Sequence, residues 1–269
     1  MPELPEVETI ARGLAKRVTG DVIESVWLGR KKEPLKSPAA KIAATLEGSR
    51  IAQVHRMGKH IVFDLDRQKS ESQWIVHLGM TGRLQVCEPQ NEIAKHTHAI
   101  LKLSSGRELR FVDPRRFGRL SVATTAAFDA TGVEPLEVDL ETFVKLFRGR
   151  KTPIKSALLN QKLLRGVGNI YADESLFRAG IRPRRRASTI RRENLEKLHA
   201  AVKEILKEAI ALGGSSVSDY VNADGEEGFF QLEHRVYGRE TAPCIVCKSL
   251  IKRVVIAGRS SHYCPKCQK

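Results

Sequence analysis

The spacing of four cysteines constrains this chain more than any other feature of its sequence. Cys244 and Cys247 form one C-x2-C pair, Cys264 and Cys267 form a second, and sixteen residues separate the pairs. Each pair can place two thiolates on one ion from a tight turn, and the segment between them is long enough for a β-hairpin. Two disulfides are the alternative, but nothing in the sequence indicates an oxidising compartment. We therefore predict one structural Zn2+ site that closes a small hairpin.

Composition narrows the class of protein. The 269 residues are 41% hydrophobic and 29% charged, a balance that predicts a globular fold of two units, or of one unit and an appendage. The apolar runs are far shorter than the roughly 20 residues that span a bilayer. The acidic start MPELPEVET lacks the hydrophobic segment of a signal peptide. We expect a cytoplasmic protein.

An excess of positive charge points to a polyanionic partner. The net charge is +15, with 24 basic against 19 acidic residues up to position 150 and 22 against 12 beyond it. Nucleic acid and an anionic membrane surface are both favoured by such an excess. A basic protein kept in solution by its charge is the plainer alternative. The second half of the chain is the stronger candidate for the contact.

The first half of the sequence predicts one helix followed by strands. Apolar residues follow Pro5 at helical spacing, and Glu6 and Glu8 lie in the first turn of that helix. Short β-rich segments then alternate with turns, at 22–27, 50–56, 60–66, 74–80, 83–87 and 99–112. This pattern predicts an α+β protein whose N-terminal β-sandwich packs against the long leading helix.

The second half of the sequence is predominantly helical. Residues 124–139 lose the strand periodicity and predict a linker. Helical patterns follow at 141–148, 152–162, 168–178 and 189–212. The Gly-rich polar stretch 213–231 predicts a mobile loop before the cysteine segment.

Pro2 is the first candidate for chemistry. Removal of the initiator Met before a small residue exposes a secondary amine, whose α-amino pKa is about 8. Such an amine condenses with an aldehyde carbon to an iminium, which acts as an electron sink for β-elimination. Glu3 and Glu6 are close enough in sequence to act as acid or base beside it. Acidic residues at a helix start more often stabilise the helix, so spacing alone leaves both interpretations open.

Two further segments are suited to bind phosphate. Residues 166–169 are a glycine-rich turn before a predicted helix, whose free N–H groups attract anions, and Lys155 opens the preceding helix. Residues 252–264 predict strand, turn, strand, with Arg259 at the tip, where it suits insertion against phosphates. A plain tight turn and a protein-binding zinc ribbon are the respective alternatives.

Seven segments together resemble the formamidopyrimidine-DNA glycosylase family of base-excision repair. They are MPELPEVE at 1–8, GKH at 58–60, HLGMTG at 77–82, DPRRFG at 113–118, GVGNIYADESLF at 166–177, YVNADG at 220–225 and the four-cysteine segment. The likeness covers nearly the whole chain in family order. It implies a DNA-formamidopyrimidine glycosylase and apurinic/apyrimidinic-site lyase that excises oxidised purines, 8-oxoguanine and formamidopyrimidines, from duplex DNA.

The resemblance also implies the domain organisation. Residues 1–131 would form the catalytic β-sandwich domain with its leading helix, and 132–150 a linker. Residues 151–238 would form a helix–two-turns–helix DNA-binding domain with a mobile lesion-covering loop, and 239–269 the zinc finger. DNA would be sharply bent, with the damaged nucleotide flipped out of the stack.

By the same resemblance, Pro2 is the nucleophile that attacks C1′. Glu3 is the acid that assists ring opening, and Glu6 supports the site. Successive β- and δ-eliminations would then cut the strand on both sides of the sugar. Lys59 and Arg259 would hold phosphates at the reaction centre.

The remaining candidates would contact DNA. Met80, Arg115 and Phe117 match the family's three residues that fill the gap left by a flipped nucleotide. For Met80 and Phe117, an ordinary core position is the alternative. The candidates expected to touch phosphates are His96, Arg116, Lys155 and Asn169.

The implied partner is double-stranded DNA that contains oxidised bases or abasic sites, and the implied cofactor is one structural zinc with no role in the reaction. We expect a monomer at the bacterial nucleoid, with no membrane contact. The sequence departs from the family's common pattern in HRMGKH at 55–60. It also departs at Ser218 and Glu227 of the loop that would cover the lesion, and these two departures leave the preference among lesions open. Two rival functions also stay open. One is an endonuclease VIII-like glycosylase for oxidised pyrimidines, although PELPE rather than PEGPE opens the chain; the other is a non-catalytic DNA-binding protein.

Overall fold

The computed structural model describes residues 1–67, 70–123, 128–216 and 227–269. Its contacts divide the chain into two compact units. The first unit comprises Met1–Asp129 and Gly213–Gly228, and the second comprises Ala130–Leu212 and Phe229–Lys269.

The first unit begins with helix α1, Leu4–Val18. Pro5 lies in its first turn, where the missing N–H costs nothing. Glu3 is the N-cap residue, and its side chain and that of Glu6 form a reciprocal capping box. One face of α1 is buried in the core of the unit, at the helical spacing that the sequence predicted; its apolar members are Leu4, Val7, Ile10, Ala11, Leu14 and Val18.

Two four-stranded antiparallel sheets make up the rest of this unit. The first has the order β2-β3-β4-β8 and the second the order β1-β6-β7-β5. The strands are β1 (Ile23–Leu28), β2 (Arg50–Met57), β3 (His60–Arg67), β4 (Ser70–His77), β5 (Arg83–Cys87), β6 (Thr97–Leu103), β7 (Glu108–Val112) and β8 (Arg119–Ala123). Helix α1 packs on β2 and β3. A single apolar core, which includes Phe63, Trp74 and Phe111, joins the helix to both sheets.

Two elements of this unit are absent from the sequence prediction. Helix α2, Ala39–Leu46, buries only Ile42 and Leu46, too few positions to give a clear helical period. Strand β8 has five residues and follows the 113–118 loop directly. It pairs antiparallel with β4, Val76 opposite Leu120. In addition, β4 ends at His77, three residues before the end of the predicted 74–80 strand.

The second unit is mainly helical. Its helices are α3 (Leu140–Phe147), α4 (Ile154–Leu158), α5 (Asn169–Arg178) and α6 (Arg192–Ala211). Helix α5 packs against α4 and α6, and α3 packs against α6. The helix predicted at 152–162 is shorter in the structure, because α4 ends at Leu158. Within the predicted loop at 213–231, residues Phe230–Glu233 form a 3-10 helix; residues 217–226 lie outside the described residues.

A two-stranded hairpin completes this unit. Strands β9 (Lys252–Ile256) and β10 (Arg259–Tyr263) pair antiparallel between the two cysteine pairs. Strand β10 packs against α5. The predicted fold class, an α+β protein with an N-terminal β-sandwich, a helical domain and a four-cysteine hairpin, is confirmed. Among the described helices, none is long and apolar enough to cross a membrane.

Candidate functional site

Pro2, Glu3 and Glu6 are buried together at the start of α1. The backbone N–H of Glu3 donates to Glu6 Oε2 at 2.7 Å, and the backbone N–H of Ser215 donates to Glu6 Oε1 at 2.8 Å. Both oxygens of the Glu6 carboxylate are therefore held by backbone donors. This arrangement fixes the backbone that carries the Pro2 nitrogen.

Gly214 lies against the same carboxylate. Its φ is +86°, and a Cβ placed there would lie 2.9 Å from both Cγ and Oε1 of Glu6. Such a contact is too short for any side chain, and the left-handed backbone disfavours one as well. Sequence analysis placed Gly214 and Ser215 only within a loop. Nothing in their residue types indicated that they hold Glu6.

Helix α1 is tied through Glu8 to the hairpin that carries Lys59. Glu8 Oε2 accepts a hydrogen bond from Arg56 Nε at 2.7 Å, and Glu8 Oε1 accepts one from Arg12 Nε at 2.7 Å. Burial acts to raise the pKa of Glu8, but the hydrogen bonds and charges of Arg56 and Arg12 outweigh it, and the pKa is lowered. Arg56 also donates to the carbonyl of Gly58 at 3.2 Å. An ionised Glu8 thus anchors the turn in which Lys59 lies.

Lys59 occupies a two-residue turn between β2 and β3. Met57 pairs with His60 across it, and Gly58 has a φ of +60°, as such tight hairpins require. Lys59 is buried, which is unusual for a lysine at a hairpin turn. Its ammonium group contributes to lowering the pKa of His77 to about 4, although burial is the largest cause.

The three predicted gap-filling residues lie together in the first unit. Met80 and Phe117 are both exposed, which excludes the alternative that they are ordinary core. The Arg115 guanidinium lies over the Phe117 ring, 4.9 Å from its centre. The backbone of Gly79, next to Met80, is so close to Phe117 that a Cβ would lie 2.4 Å from the Phe117 carbonyl carbon.

The fully buried Asp113 fixes the loop that presents these side chains. Its Oδ1 accepts from Thr81 Oγ1 at 2.6 Å, and its Oδ2 accepts from the N–H of Gly118 at 2.7 Å. The N–H of Arg115 donates to the same Thr81 hydroxyl at 3.3 Å. Asp113 is the first residue of the DPRRFG motif, but nothing in that motif indicated that its side chain holds the loop in place. His96 and Arg116, the weaker phosphate candidates, are exposed on a cavity beside this loop.

In the second unit, Arg259 lies at a hairpin turn and Asn169 at a helix start. Arg259 is exposed and follows a tight turn at Ala257 and Gly258, whose φ values are +48° and +75°. Asn169 is the first residue of α5, directly after the N-cap Gly168. A helix start of this kind presents free backbone N–H groups to an anion.

Lys155, for which the sequence predicted a phosphate contact, lies in the interior of the second unit. It is fully buried, and its Nζ lies 2.6 Å from Asp173 Oδ1 and donates to the carbonyl of Ser260 at 2.6 Å. Asp173 Oδ2 accepts the backbone N–H of His262 at 2.8 Å. Lys155 therefore joins α4 and α5 to the strand that begins with Arg259. This geometry favours a positioning role, and contact of Lys155 with DNA stays a prediction.

The four cysteines converge on one point. Their sulfur atoms all lie within 4.8 Å of one another, with 3.9 Å between Cys244 and Cys267 and 3.4 Å between Cys247 and Cys264. Four sulfurs about 2.3 Å from a tetrahedral ion would be about 3.8 Å apart. The thiols therefore fit one structural zinc ion, which would hold the β9–β10 hairpin at its base.

Comparison with known proteins agrees with this geometry. The model of the formamidopyrimidine-DNA glycosylase N-terminal domain matches residues 1–120, the model of its H2TH domain matches 131–221, and that of the zinc finger found in FPG and IleRS matches 243–269. The chain is 46% identical over 275 residues to a formamidopyrimidine-DNA glycosylase of Solibacter usitatus, with all of both chains covered. The chain belongs to the formamidopyrimidine-DNA glycosylase family.

Solved structures of the formamidopyrimidine-DNA glycosylase family share the fold. The MutM (FPG) protein of Thermus thermophilus superposes with a TM-score of 0.88 at 41% identity, covering 99% of this chain and 98% of that one. The Lactococcus lactis Fpg bound to DNA with an abasic site gives 0.92 at 33% identity, covering 99% of both chains. A Lactococcus lactis FPG mutant bound to DNA that contains Fapy-dG also gives 0.92 at 33% identity, covering all of both chains.

Proposed function

We propose that this protein is a DNA glycosylase that excises oxidised purines from duplex DNA and then cleaves the strand as a lyase. The observation that carries the proposal is the buried cluster at the start of α1. There the second residue is a proline, and the carboxylates of Glu3 and Glu6 are buried within four residues of it. Related proteins of this family have been seen on DNA that contains Fapy-dG and on DNA with an abasic site.

The first chemical step requires Pro2 to be a free secondary amine, so Met1 is removed. The Pro2 nitrogen attacks C1′ of the damaged nucleotide, the N–C1′ bond forms, and the glycosidic bond to the base breaks; the proton lost from the Pro2 amine neutralises the departing base. Glu3 gives a proton to the ring oxygen as the sugar opens, which leaves an iminium between Pro2 and C1′. The hydrogen bond from the Glu3 N–H to Glu6 keeps the chain in the conformation that this attack needs.

The strand is then cut by two eliminations. The iminium acidifies the C2′ proton, and its removal expels the phosphate on the 3′ side. Proton loss further along the conjugated system expels the phosphate on the 5′ side, and water releases the sugar fragment from Pro2. Lys59 in the first unit and Arg259 and Asn169 in the second would bind phosphates during these steps. Zinc would fold the hairpin that presents Arg259 and take no part in the reaction.

The experiment that tests this function traps the iminium. Protein whose N-terminus is verified as Pro2 is incubated with duplex containing 8-oxoguanine opposite cytosine, and borohydride is added. We expect a covalent protein–DNA band on a denaturing gel from the native protein and from Pro38→Gly, a proline change at the start of α2. Pro2→Gly should give little or none.

A parallel duplex with 5-hydroxyuracil tests the pyrimidine-specific alternative. A band formed mainly on this duplex would assign the protein to oxidised pyrimidines. DNA binding that survives Pro2→Gly, with no band on either duplex from native protein, would instead support a non-catalytic DNA-binding protein. As a repair enzyme with bacterial relatives, the protein would act as a monomer at the nucleoid in the cytoplasm.

A further inference from the structure

Arg56 is a buried arginine beside the turn that carries Lys59. It lies near the end of β2, and its side chain is only 6% exposed. Burial of a charged group is costly, so a buried arginine needs partners for its charge and its donors. Its partners include the Glu8 carboxylate on α1 and the carbonyl of Gly58 in the turn. Arg56 therefore joins α1 to the turn through one guanidinium group.

The two arginines that bind the Glu8 carboxylate differ in their burial. Arg56 Nε donates to Oε2 and Arg12 Nε donates to Oε1, both at 2.7 Å. The side chain of Arg12 is 63% exposed, about ten times as much as that of Arg56. An exposed ion pair contributes little, whereas loss of one partner of a buried pair leaves an uncompensated charge. Arg12 thus provides a comparison for Arg56 on the same carboxylate.

The contact of Arg56 with Gly58 restrains the backbone of Lys59. Arg56 Nη1 donates to the Gly58 carbonyl at 3.2 Å, and this carbonyl belongs to the peptide group that contains the Lys59 nitrogen. Because a peptide group is planar, the position of its oxygen restricts the position of the Lys59 Cα. Gly58 has a φ of +60°, and a glycine has many other conformations open to it. The hydrogen bond from Arg56 selects one of them.

The burial of Lys59 makes this restraint important for its ammonium group. An exposed lysine can follow a phosphate by rotation about its flexible four-carbon side chain. Lys59 is only 8% exposed, so the surrounding atoms restrict its rotamers. A shift of the peptide group between Gly58 and Lys59 would therefore move the ammonium group as well.

We propose that Glu8 and Arg56 are positioning residues for the reaction, which act through the Gly58 carbonyl to hold the Lys59 ammonium group against a phosphate of the DNA. Since Glu8 belongs to the helix that begins directly after the Pro2 end of the chain, the pair also holds this phosphate contact in place relative to the proline nitrogen. A displacement of about 1 Å at a reaction centre lowers a rate by about a hundredfold. The proposal rests on the proposed function, which gives Lys59 its phosphate contact.

A substitution that conserves charge tests the positioning role. Arg56→Lys keeps a cation beside Glu8, but an ammonium group lacks the planar fork that reaches both Glu8 and the Gly58 carbonyl. Arg12→Lys is the matched control on the other oxygen of the same carboxylate. The rate of borohydride trapping is measured with enzyme in excess over 8-oxoguanine duplex. We expect Arg56→Lys to lower this rate at least tenfold and Arg12→Lys to change it less than twofold; equal rates for the two variants would overturn the proposal.

A cycle with Lys59→Met separates positioning from a general structural role. Because Arg56 acts through Lys59, Arg56→Lys should lower the trapping rate less than twofold further once Lys59 is replaced. A variant that merely weakened the fold would lower the rate by the same factor in both backgrounds, and that result would contradict the proposal. Urea unfolding of each variant verifies that it is folded under the assay conditions.

The salt dependence of DNA affinity provides a readout that does not require the chemistry. Affinity for a duplex with an uncleavable abasic analogue is measured over a range of salt concentrations. Loss of one phosphate contact lowers the slope of log K against log salt by about 0.9. We expect this decrease in Lys59→Met and also in Arg56→Lys, whose charge is unchanged, with no larger decrease in the double variant. A native slope in Arg56→Lys would overturn the proposal.

Glu8→Gln is the second variant, for the case that Arg56→Lys does not fold. It keeps the shape of the side chain and removes the charge that holds Arg56, so trapping should fall in the native background and not further in Lys59→Met. The native protein keeps the two proposals distinct. If it traps DNA and the effects of Arg56→Lys and Lys59→Met multiply, only the positioning inference fails. If it forms no trapped product, the proposed function fails, and the salt slopes still decide whether Arg56 positions Lys59.

Discussion

At the scale of single residues, Gly214 and Glu6 make a close contact in the cluster that we propose to be catalytic. We predict that Gly214→Ala lowers the rate of borohydride trapping at least tenfold, because the new Cβ displaces the carboxylate that holds the Glu3 N–H. The rate is measured with enzyme in excess over DNA, so that affinity does not limit it.

Gly106 provides the matched control. Its φ of +84° is nearly the same as that of Gly214, but a Cβ there would meet nothing within 4 Å. Gly106→Ala should therefore cost only the backbone strain, about 1 kcal/mol, and leave trapping unchanged. Equal trapping rates for the two variants would show that the clash with Glu6 does not matter.

The partly buried His77 predicts a dependence of stability on pH. Burial, followed by the charges of His60, Lys59 and Arg119, lowers the pKa of His77 to about 4, whereas the unfolded chain titrates at about 6.5. Between these values the unfolded state binds a proton that the folded state does not. The free energy of unfolding therefore falls as the pH is lowered from about 6.5 to 4, by roughly 3 kcal/mol over the whole window, and His77 has no such effect above it.

Urea unfolding at pH 7.5 and pH 5.0 measures this effect. His77→Gln keeps an acceptor for the Gly79 N–H, which donates to His77 Nδ1 at 3.1 Å, but removes the titrating group. We expect the loss of stability between the two pH values to be smaller in this variant than in the native protein. The exposed His96→Gln serves as the comparison and should retain the native loss. A native-sized loss in His77→Gln would exclude His77 as its source.

At the scale of elements, regular patterns were predictable and short elements were not. Helix α1 buries one side over four turns, and its buried apolar positions from Val7 to Val18 follow the helical spacing that the sequence predicted. Helix α2 and strand β8 have eight and five residues, which is too short for periodicity to identify. Their places depend on packing with distant segments. Thus α2 packs on β1, and β8 pairs with β4.

The same distinction holds for the site. Pro2, Arg115 and Arg259 belong to local motifs whose shape is set by residues near them in sequence: the start of α1, the 113–118 loop and the turn before β10. Lys155 and Asp173 are eighteen residues apart in sequence and meet only when α4, α5 and the hairpin pack together. Sequence position therefore predicted a phosphate contact for Lys155 and carried no information on its burial.

The buried Lys155–Asp173 pair leads to a prediction about the free energy of unfolding. Removing one partner leaves an uncompensated buried charge, so Lys155→Met and Asp173→Asn should each destabilise the protein by about 3–5 kcal/mol. In the double variant no charge is left unpaired, and the substituted asparagine still offers an oxygen to the His262 N–H. We therefore expect the double variant to lose less than the sum of the two single losses in urea unfolding.

An exposed pair supplies the control for this cycle. Arg192 and Glu141 form a salt bridge on the surface of the same unit, and Arg192→Met should change stability little. Simple additivity of Lys155→Met and Asp173→Asn would contradict the coupling. A second readout is the affinity for abasic-analogue duplex, which should fall in Lys155→Met because the Ser260 carbonyl beside Arg259 loses its donor.

At the scale of the whole molecule, the two units have separate cores, and each is stabilised by different interactions. The first is held by an apolar core of one helix and two sheets. In the second, Cys244 and Cys264 belong to a small cluster with Phe177, Val236 and Ile251. So small a cluster buries little apolar surface, and we expect a bound zinc ion to supply much of the stability of the hairpin. Zinc is therefore expected to stabilise the second unit alone.

Chelation tests this expectation. Removal of zinc at neutral pH should raise amide hydrogen exchange in β9 and β10 at least a hundredfold and abolish tight DNA binding, while exchange in β2–β4 stays slow. Readdition of zinc should restore both. Rapid exchange in β2–β4 after chelation would instead show that the metal stabilises the whole molecule.

The role that we propose for Pro2, which is buried at the start of α1, also restricts how this protein can be produced in the laboratory. An affinity tag fused ahead of Met1 would keep the proline nitrogen in an amide, whose electron pair is delocalised into the carbonyl group. The attack that we propose for Pro2 could then not occur, however well the fusion folds. Preparations used to judge activity therefore need a native N-terminus, verified by mass spectrometry, or a protease whose cut leaves Pro2 first. If an N-terminal fusion of this chain is inactive, the blocked Pro2 nitrogen is a sufficient explanation. Such a result does not show that the protein with a native N-terminus lacks activity.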